Sequence, residues 1–389
     1  MRKIECIGLI FITAVIFVTL APSYSNAAAE GPIKIGLLLD YTGMGGGDIP
    51  WHGDGVKLKL DEVGWQTAGR KIELITGDTG GDPVKGTEKA QKLVQADKVD
   101  VVIGPVWAHV AFAVAPVLAE SKTPQILPNG HSIGVLKSGA GNVFMLRGSH
   151  LGENYYSGVY AYEDLGYRTA VVLHDDFVGG EELSGGFVKA FQERGGTIVQ
   201  IQKPPLGTFD FAPYLGAMKK ADVVAIWLIP PELPAFYKQY REFGLKMPII
   251  HTFMQAWHEI WKEAGDACLN TIGQIEYSAS IDTDVNRRFQ KAFRDKYGKP
   301  ASLFHEAGYA SASIFLEAVK ATKGDTRPDQ INKALKKVSA ETPEGRLSFS
   351  PDGIGIGDAL IVRIVKKDGR YETEILKTYK QVVRKAPSE

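Results

Sequence analysis

Short, almost continuously apolar runs alternate with longer segments of helical periodicity, and this alternation constrains the fold more than any other feature of the chain. Lys34–Leu39 and Val99–Ile103 are such runs, and successive apolar positions are typical of strands buried on both faces of a parallel sheet. Between them, Asp82-Pro83 begins a segment that places Ala90 and Leu93 on one helical face. The pattern predicts an α/β fold with parallel sheets flanked by helices.

The alternation occurs twice, which indicates two structural units. A second series begins with the apolar run Ala170–Leu173, and a chain of 389 residues exceeds what one hydrophobic core usually organises. The C-terminal part differs, because Ala359–Val365 and Tyr371–Ile375 flank Asp368-Gly369, a dipeptide typical of hairpin turns. We therefore expect two α/β lobes and a β-rich tail that contains an antiparallel hairpin.

The N-terminal residues have the composition of an export signal. Arg2 and Lys3 form a basic start, Ile7–Leu20 is a short apolar core, and small residues follow at 25–29. The apolar stretch is shorter than the roughly 20 residues of a membrane-spanning helix. Cys6 precedes the apolar core, so it is not placed as a lipoprotein acceptor. The sequence predicts that residues 1–29 are removed as a signal peptide and that the protein resides in the periplasm.

Composition narrows the choice of partner. The chain has 45 basic and 45 acidic residues and a formal net charge of zero, which argues against binding to nucleic acid or to an anionic membrane surface. Its cysteines are Cys6 and Cys268, and loss of the leader leaves Cys268 without a partner for an intrachain disulfide. We predict a small-molecule ligand and a monomeric protein.

A glycine-rich loop, Gly43–Gly47, follows the first apolar run and raises the question of a dinucleotide site. A dinucleotide fingerprint that begins at Gly43 requires its third glycine at position 48, where the chain has Asp48. Glycines at such a place also allow the backbone to approach a ligand or a neighbouring strand closely. No cofactor is therefore predicted.

Motifs for metal binding and catalysis are incomplete. His258-Glu259 is followed by Lys262 at the position of a second zinc-binding histidine, and Cys268 has no histidine near it in the sequence. Asp175-Asp176 follows an apolar run, and we expect this pair to cap the next helix or to stay solvated rather than to hold a metal. We predict neither catalytic nor metal-binding residues, and thus no enzyme.

Six segments of the chain together resemble one protein family. They are IGLLLDYTG at 35–43, GDTGGDPVKGTEKAQKLV at 77–94, VVIGPV at 101–106, VAPVLAESKTPQILP at 114–128, YRTAVVLHDDFVGG at 167–180 and YGKPASLFHEAGYASASIFLEAV at 297–319. In order and spacing they resemble the leucine/isoleucine/valine-type (branched-chain amino acid family) periplasmic substrate-binding proteins of ABC transporters. The resemblance implies a type I periplasmic-binding fold with three crossovers between lobes, a solute held between the lobes, and an ABC permease in the inner membrane as partner.

The resemblance also implies lobe boundaries and a binding site. Lobe 1 is expected at residues 30–147 plus 276–345, and lobe 2 at 148–275 plus 346–389. The ligand-binding residues that the resemblance places at the carboxyl ends of strands are Trp51, Trp107, Ala108, Asn129, His131, Phe177, Trp227, Phe253, Gln255 and Phe304. The family's amino-acid binders hold the α-carboxylate with Ser or Thr at the positions of Ala108 and His131, and hold the α-ammonium with an acid near Phe253.

The absence of that acid disfavours an amino-acid ligand, because a buried ammonium group without an anionic partner is costly. The aromatic side chains suit a flat apolar group, while Asn129, His131 and backbone amides are available to a carboxylate or an amide. We therefore predict an aromatic acid or a short amide as ligand. Two alternatives remain open: an amide- or urea-sensing receptor-type binding protein of the same fold, which a further signalling domain after Lys385–Glu389 would favour, and an exported enzyme.

Overall fold

The computed structural model of the protein describes residues 31–254 and 258–389. The predicted leader, residues 1–29, and the predicted ligand-binding residue Gln255 lie outside the described residues. Within the described part of the chain, no helix is both long enough and apolar enough to cross a bilayer. Two sheets flanked by helices organise the chain, which confirms the predicted α/β architecture.

The first sheet is parallel except at one edge. Its strands are β1 (Ile33–Leu39), β2 (Gln66–Thr67), β3 (Arg70–Asp78), β4 (Val101–Ile103), β5 (Gln125–Leu127) and β6 (Val143–Met145). They lie in the order β2-β3-β1-β4-β5-β6, and β2 pairs antiparallel with β3. Ile33, Ile35 and Leu37 of the central strand β1 are fully buried, as expected for a strand that is covered on both faces.

Helices follow the strands of this sheet at the expected places. They are α1 (Trp51–Glu62), α2 (Pro83–Gln91), α3 (Ala108–Ser121) and α4 (Gly134–Ser138). The Asp82 side chain caps α2 by accepting hydrogen bonds from the backbone N–H groups of Val84 and Lys85. This cap, followed by a proline in the first turn, explains why the Asp-Pro pair correctly predicted the helix start.

The second sheet is parallel in one half and antiparallel in the other. Its strands are β7 (Thr169–His174), β8 (Thr197–Gln202), β9 (Val223–Trp227), β10 (Ile249–His251), β11 (Ile272–Ile275), β12 (Ser339–Thr342), β13 (Gly345–Phe349), β14 (Gly355–Lys367) and β15 (Arg370–Val383). The order is β12-β13-β14-β11-β10-β9-β7-β8, and β15 pairs with β14. Strands β14 and β15 form the predicted antiparallel hairpin, in which Lys367 lies opposite Arg370. The sequence pattern did not predict β12 and β13.

The remaining helices cover the second sheet and return to the first. They are α5 (Gly152–Glu163), α6 (Val178–Glu193), α7 (Ala212–Gly216), α8 (Leu233–Glu242), α9 (His258–Ala264), α10 (Asp284–Tyr297), α11 (Leu303–Ala321) and α12 (Pro328–Leu335). The near-helical spacing of Phe236, Tyr237 and Tyr240 in the sequence predicts that they pack in the core, and in α8 all three are buried.

Helices α1 and α11 approach each other closely at two glycines. Gly55 of α1 lies against the backbone of His305, and Gly308 of α11 lies against the backbone of His52, so a Cβ atom at either glycine would overlap the other helix. Helix α1 begins at Trp51, whereas the sequence predicted a start at Gly55. The close contact carries the first turn of α1 to the start of α11, and it is there that two predicted binding residues meet.

Charged residues that follow β6 and β11, together with others from α11 and from the turn between β12 and β13, meet in a buried cluster. Arg147 contacts Glu276, Glu306 and Glu344 at 3.4, 2.6 and 3.4 Å. Arg384, which follows β15, pairs with Glu344 at 3.2 Å. Burial, reinforced by Glu344, raises the pKa of Glu306 well above its usual range. Removal of one partner from such a cluster would leave a buried charge uncompensated.

Candidate functional site

Loops that follow strands of the two sheets meet at a cleft. Asp48 and Trp51, which come after β1, line a cavity of about 180 Å³ together with Pro230, after β9, and Glu259 and Ile260 of α9. Open α/β sheets bind ligands beyond the carboxyl ends of their strands. The cleft therefore lies where the strand pattern places a binding site.

Five of the predicted aromatic residues belong to one apolar cluster, here called the aromatic cluster: Trp51, Phe177, Trp227, Phe253 and Phe304. The rings of Trp51 and Phe304 have centroids 6.5 Å apart, and those of Phe177 and Trp227 are 5.7 Å apart. These separations are within the range of favourable aromatic contacts. The cluster thus combines rings from distant parts of the chain, and of its five residues Trp51 lines the cavity.

Trp107 and Ala108 lie apart from the aromatic cluster. Trp107 is half-buried and packs against the apolar cores around the first sheet, and its ring centroid lies 6.4 Å from that of His109. Its indole Nε1 is buried without a hydrogen-bond partner among the described residues. Ala108 is the first residue of α3. In place of a hydroxyl group this position offers the N–H groups of a helix N-terminus, which favour an anion.

His52 and Asn129 connect α1 to the loop after β5. His52 Nδ1 lies 2.9 Å from the Ile49 carbonyl oxygen, and His52 Nε2 lies 2.9 Å from the Asn129 side-chain amide. Burial lowers the pKa of His52 to about 4, so the ring is neutral at physiological pH. A neutral ring that donates from Nδ1 has a lone pair at Nε2, and the Asn129 amide must therefore turn its NH₂ group toward it.

His131 is fully buried at the end of β5, and neither of its ring nitrogens has a hydrogen-bond partner among the described residues. Burial lowers its pKa to about 3. The ring stacks on His150 with centroids 6.3 Å apart, and His150 Nδ1 lies 2.7 Å from Glu182 Oε2. An unsatisfied buried imidazole is costly, because it gives up its hydrogen bonds to water. The ring is therefore well suited to a ligand atom that restores those bonds.

Asp40, directly after β1, was not among the predicted site residues. It is fully buried, and its Oδ1 accepts a short hydrogen bond from the Thr79 hydroxyl. Its Oδ2 has no partner among the described residues. This oxygen and Trp107 Nε1 lie 3.3 and 3.8 Å from where a Cβ atom of Gly81 would be. A carboxylate at the end of a wholly apolar strand is the sequence signal that could have identified it.

Asp175 differs from its prediction. The structure buries Asp175 and exposes Asp176, and no side chain caps α6 at Phe177. Asp175 Oδ2 accepts a hydrogen bond from Ile229 N–H at 2.7 Å, and burial followed by a hydrogen bond with Glu232 raises the pKa of Asp175 to about 8. The prediction of a helix cap or a solvated pair is therefore wrong for Asp175. Its carboxyl group is influenced by Glu232, which lies far from it in the sequence.

The described residues include no group of three or more His, Cys, Asp or Glu side chains arranged to hold a metal ion. Cys268 is buried, and burial raises the pKa of its thiol to about 11. A thiol with a raised pKa is a poor nucleophile at neutral pH. The arrangement around the cleft suits binding through ring contacts and hydrogen bonds.

Comparison with known proteins supplies a family. The sequence model of the family described as periplasmic binding protein matches residues 32–370. The Leu/Ile/Val-binding protein homolog 6 of Brucella abortus is 25% identical over 390 residues, which covers 96% of this chain and 97% of that protein.

Two solved structures are similar over nearly their whole length. One is the solute-binding protein of an ABC transporter from Rhodopseudomonas palustris BisB5 in complex with 3,4-dihydroxybenzoic acid, with 26% identity, a TM-score of 0.82, and coverage of 92% of this chain and 99% of that one. The other is a solute-binding protein of an ABC transporter from R. palustris in complex with benzoate, with 26% identity, a TM-score of 0.78 and the same coverage.

Proposed function

The chain belongs to the periplasmic binding protein family, as a substrate-binding protein of the leucine/isoleucine/valine type that serves ABC transporters, and we propose that its cleft closes on a small aromatic carboxylate. The predicted leader, residues 1–29, would direct the protein to the periplasm. There the loaded protein would deliver its solute to an ABC permease in the inner membrane.

The observations that carry this proposal are the unsatisfied buried ring of His131 and the aromatic cluster. A buried imidazole with two unsatisfied nitrogens lies in the loop after β5, and five aromatic residues gather where the loops of both sheets meet. A neutral His131 can donate one hydrogen bond to a carboxylate oxygen. The rings can cover both faces of a benzene ring. An aromatic acid has both parts in one small molecule.

The position at which the family's amino-acid binders hold an ammonium group supports an aromatic acid over an amino acid. The resemblance implies that this position falls near Phe253, which is buried in the aromatic cluster. An ammonium group against this side chain would lose its hydration without gaining a counter-charge. The two Rhodopseudomonas proteins of the same fold hold 3,4-dihydroxybenzoic acid and benzoate, which supports the same ligand class.

Closure of the cleft would follow from contacts of the ligand with both lobes. We propose that lobe 1 comprises residues 30–147 and 276–345 and that lobe 2 comprises 148–275 and 346–389. Trp51 and Phe304 then come from lobe 1, while Phe177 and Trp227 come from lobe 2. A ligand that contacts all four rings binds the closed state more tightly than the open one and shifts the population toward it.

An aliphatic amino acid is the second candidate, and Asp40 is the observation that favours it. The unpartnered Oδ2 of this buried carboxylate is an alternative acceptor for an ammonium group. A ligand held in this way would place its charged end near Trp107 and its side chain in the aromatic cluster. The two candidates therefore differ in the buried polar group that binds the ligand. An aromatic acid would bind His131, and an aliphatic amino acid would bind Asp40.

A thermal-shift series tests the proposal, because a ligand that binds the folded state raises Tm. We expect benzoate and 4-hydroxybenzoate to raise Tm, and leucine and valine to leave it unchanged. Cyclohexanecarboxylate, which keeps the acid but lacks the aromatic ring, and benzamide, which keeps the ring but lacks the charge, are matched controls that should bind more weakly. Stabilisation by leucine or valine without stabilisation by benzoate would assign the site to the amino-acid candidate. Equal stabilisation by benzamide would favour an amide.

A further inference from the structure

A second, larger cavity lies outside the cleft. It has a volume of about 1040 Å³ and is enclosed by α9, α10, the loop before α11 and the turn between β14 and β15. None of the ten predicted ligand-binding residues lines it. Six basic side chains do, and we call this cavity the basic groove: Lys262, Arg287, Lys291, Arg294, Lys299 and Arg370.

The excess of basic side chains in the basic groove does not reflect the composition of the whole chain. The whole chain has equal numbers of basic and acidic residues, whereas the acidic residue that lines the groove is Glu372. Arg287 is paired with Asp282 and Asp284, and Lys291 is paired with Asp295 at 2.5 Å. These two basic residues are already partly neutralised by neighbours.

The other four basic side chains of the groove lack such partners. Within the described ranges 31–254 and 258–389, Lys262, Arg294 and Arg370 form no ion pair with a carboxylate. Lys299 lies over the Trp51 ring, 4.7 Å from its centroid. Like charges that converge on one concave surface repel one another and raise the local concentration of anions. An anion bound between them would relieve that repulsion.

The walls of the groove indicate the rest of the ligand. Ile281, Ala301 and Leu303 contribute apolar surface. The amide of Gln290 is engaged by Tyr277 and by the Ala301 carbonyl group. Asn286, likewise, donates to the carbonyl groups of residues 279 and 281. The amides of Gln290 and Asn286 are thus satisfied internally, and the groove lining combines basic with apolar side chains.

We propose that the basic groove binds a small organic polyanion, that is, a compact apolar body carrying two or more carboxylate or phosphate groups. Several charges are needed because a single exposed ion pair contributes little, whereas arginines spaced around a rim can each engage one anionic group. This site adjoins the cleft where Lys299 lies over Trp51, but the two cavities share no lining residue, and the proposal does not depend on which solute the cleft holds.

Isothermal titration with propane-1,2,3-tricarboxylate as the probe tests the proposal. We expect saturable one-to-one binding to the wild-type protein, with an affinity that falls as NaCl is raised. The double variant Arg294→Gln/Arg370→Gln should bind the probe about tenfold more weakly or worse, because two charge-assisted contacts are lost. The matched control is Arg288→Gln, which removes the same charge from α10 at a residue that acts on Glu62 and Tyr309, and it should bind as the wild type does.

Two outcomes would overturn the proposal. One is the absence of binding to the wild-type protein at millimolar probe and low salt. The other is an undiminished affinity in the double variant while its Tm matches that of the wild type. The cleft variant His131→Leu should bind the probe as the wild type does. If His131→Leu loses the probe while Arg294→Gln/Arg370→Gln keeps it, the anion binds in the cleft and the proposal is wrong. Failure of benzoate to bind, by contrast, would count against the proposed function and leave this site untouched.

Discussion

The two sides of the cleft differ in how they are built. The segments that follow strands of the first sheet carry polar residues that are buried or half-buried, here called the polar side: Asp40, His52, Asn129 and His131. The loops after the strands of the second sheet present rings that pack on one another, here called the apolar side: Phe177, Trp227 and Phe253. On the proposed function, this asymmetry would orient a ligand with its charged end toward the first sheet and its ring toward the second.

The two sides also contribute differently to the stability of the fold and to the affinity for a ligand. The rings of the apolar side gain free energy from burial with or without a ligand. On the polar side, His131 and Asp40 carry buried atoms without hydrogen-bond partners among the described residues, and such atoms lower the stability of the unliganded protein. Substitutions on the apolar side should therefore affect stability and affinity together, whereas replacement of the unsatisfied His131 should lower affinity and leave stability unchanged or improved.

Replacement of Trp227 by alanine should have the largest effect. Trp227 is buried against Phe177, and removal of its ring should weaken benzoate binding by about a hundredfold and destabilise the fold by about 3 kcal/mol. Titration calorimetry measures the first effect and denaturant unfolding the second. The conservative variant Trp227→Phe should keep most of both. A loss of affinity without any loss of stability would contradict the view that the apolar side packs by itself.

Replacement of His131 by leucine tests the polar side. Leucine fills the buried volume without placing an unsatisfied donor or acceptor there, so the Tm of the unliganded protein should stay the same or rise. Benzoate should bind about tenfold more weakly, because its carboxylate loses a buried hydrogen bond. If Tm falls by several degrees instead, His131 stabilises the unliganded fold and the contrast between the two sides is lost.

The bounds of a helix or strand could be predicted from the sequence wherever the residues that start and end it are distinctive. The strand at Gln125–Leu127 was predicted with both ends correct, because an apolar run ends at a proline and begins after one. The start of α1 at Trp51 was missed, since the sequence pattern predicts a helix only from Gly55. Gly55 packs on the backbone of α11, and Gly308 of α11 packs on the backbone of α1. Those glycines are needed for the contact of α1 with α11, and such a contact between distant segments leaves no local pattern.

The candidate site was predictable in its aromatic residues and less so in its charges. Rings that follow strands must gather at one edge of a sheet, so the aromatic cluster followed from strand order together with the resemblance. Trp107 also follows a strand, yet it turns toward the core of the first sheet. Burial of Asp40 and Asp175 could not be predicted, because it depends on Thr79 and on Glu232, which are brought close only by the fold. Whether each residue contacts a ligand stays a prediction.

The smallest of the expected effects is a pH dependence of stability that arises from Asp175. When protonated, this residue leaves the apolar side uncharged. Asp175 follows β7, two residues before Phe177, and burial together with the buried Glu232 raises the pKa of its carboxyl group. In the unfolded chain its pKa is about 3.9, whereas burial and Glu232 raise the pKa to about 8 in the folded protein. Between these values the folded state holds a proton that the unfolded state has released. The resulting stability is therefore present at low pH and is lost as the pH rises toward 8.

The variant Asp175→Asn keeps the geometry of the protonated acid, because its oxygen can accept from Ile229 N–H and its amide can donate to Glu232. We expect its Tm to match that of the wild type at pH 5 and to exceed it by about 2–4 °C at pH 8. Thermal unfolding at the two pH values measures this difference, with the exposed neighbour variant Asp176→Asn as the control in which the difference does not depend on pH. A Tm gap for Asp175→Asn that is constant between pH 5 and 8 would show that Asp175 is ionised in the folded protein, and the apolar side would then carry a negative charge that repels a carboxylate.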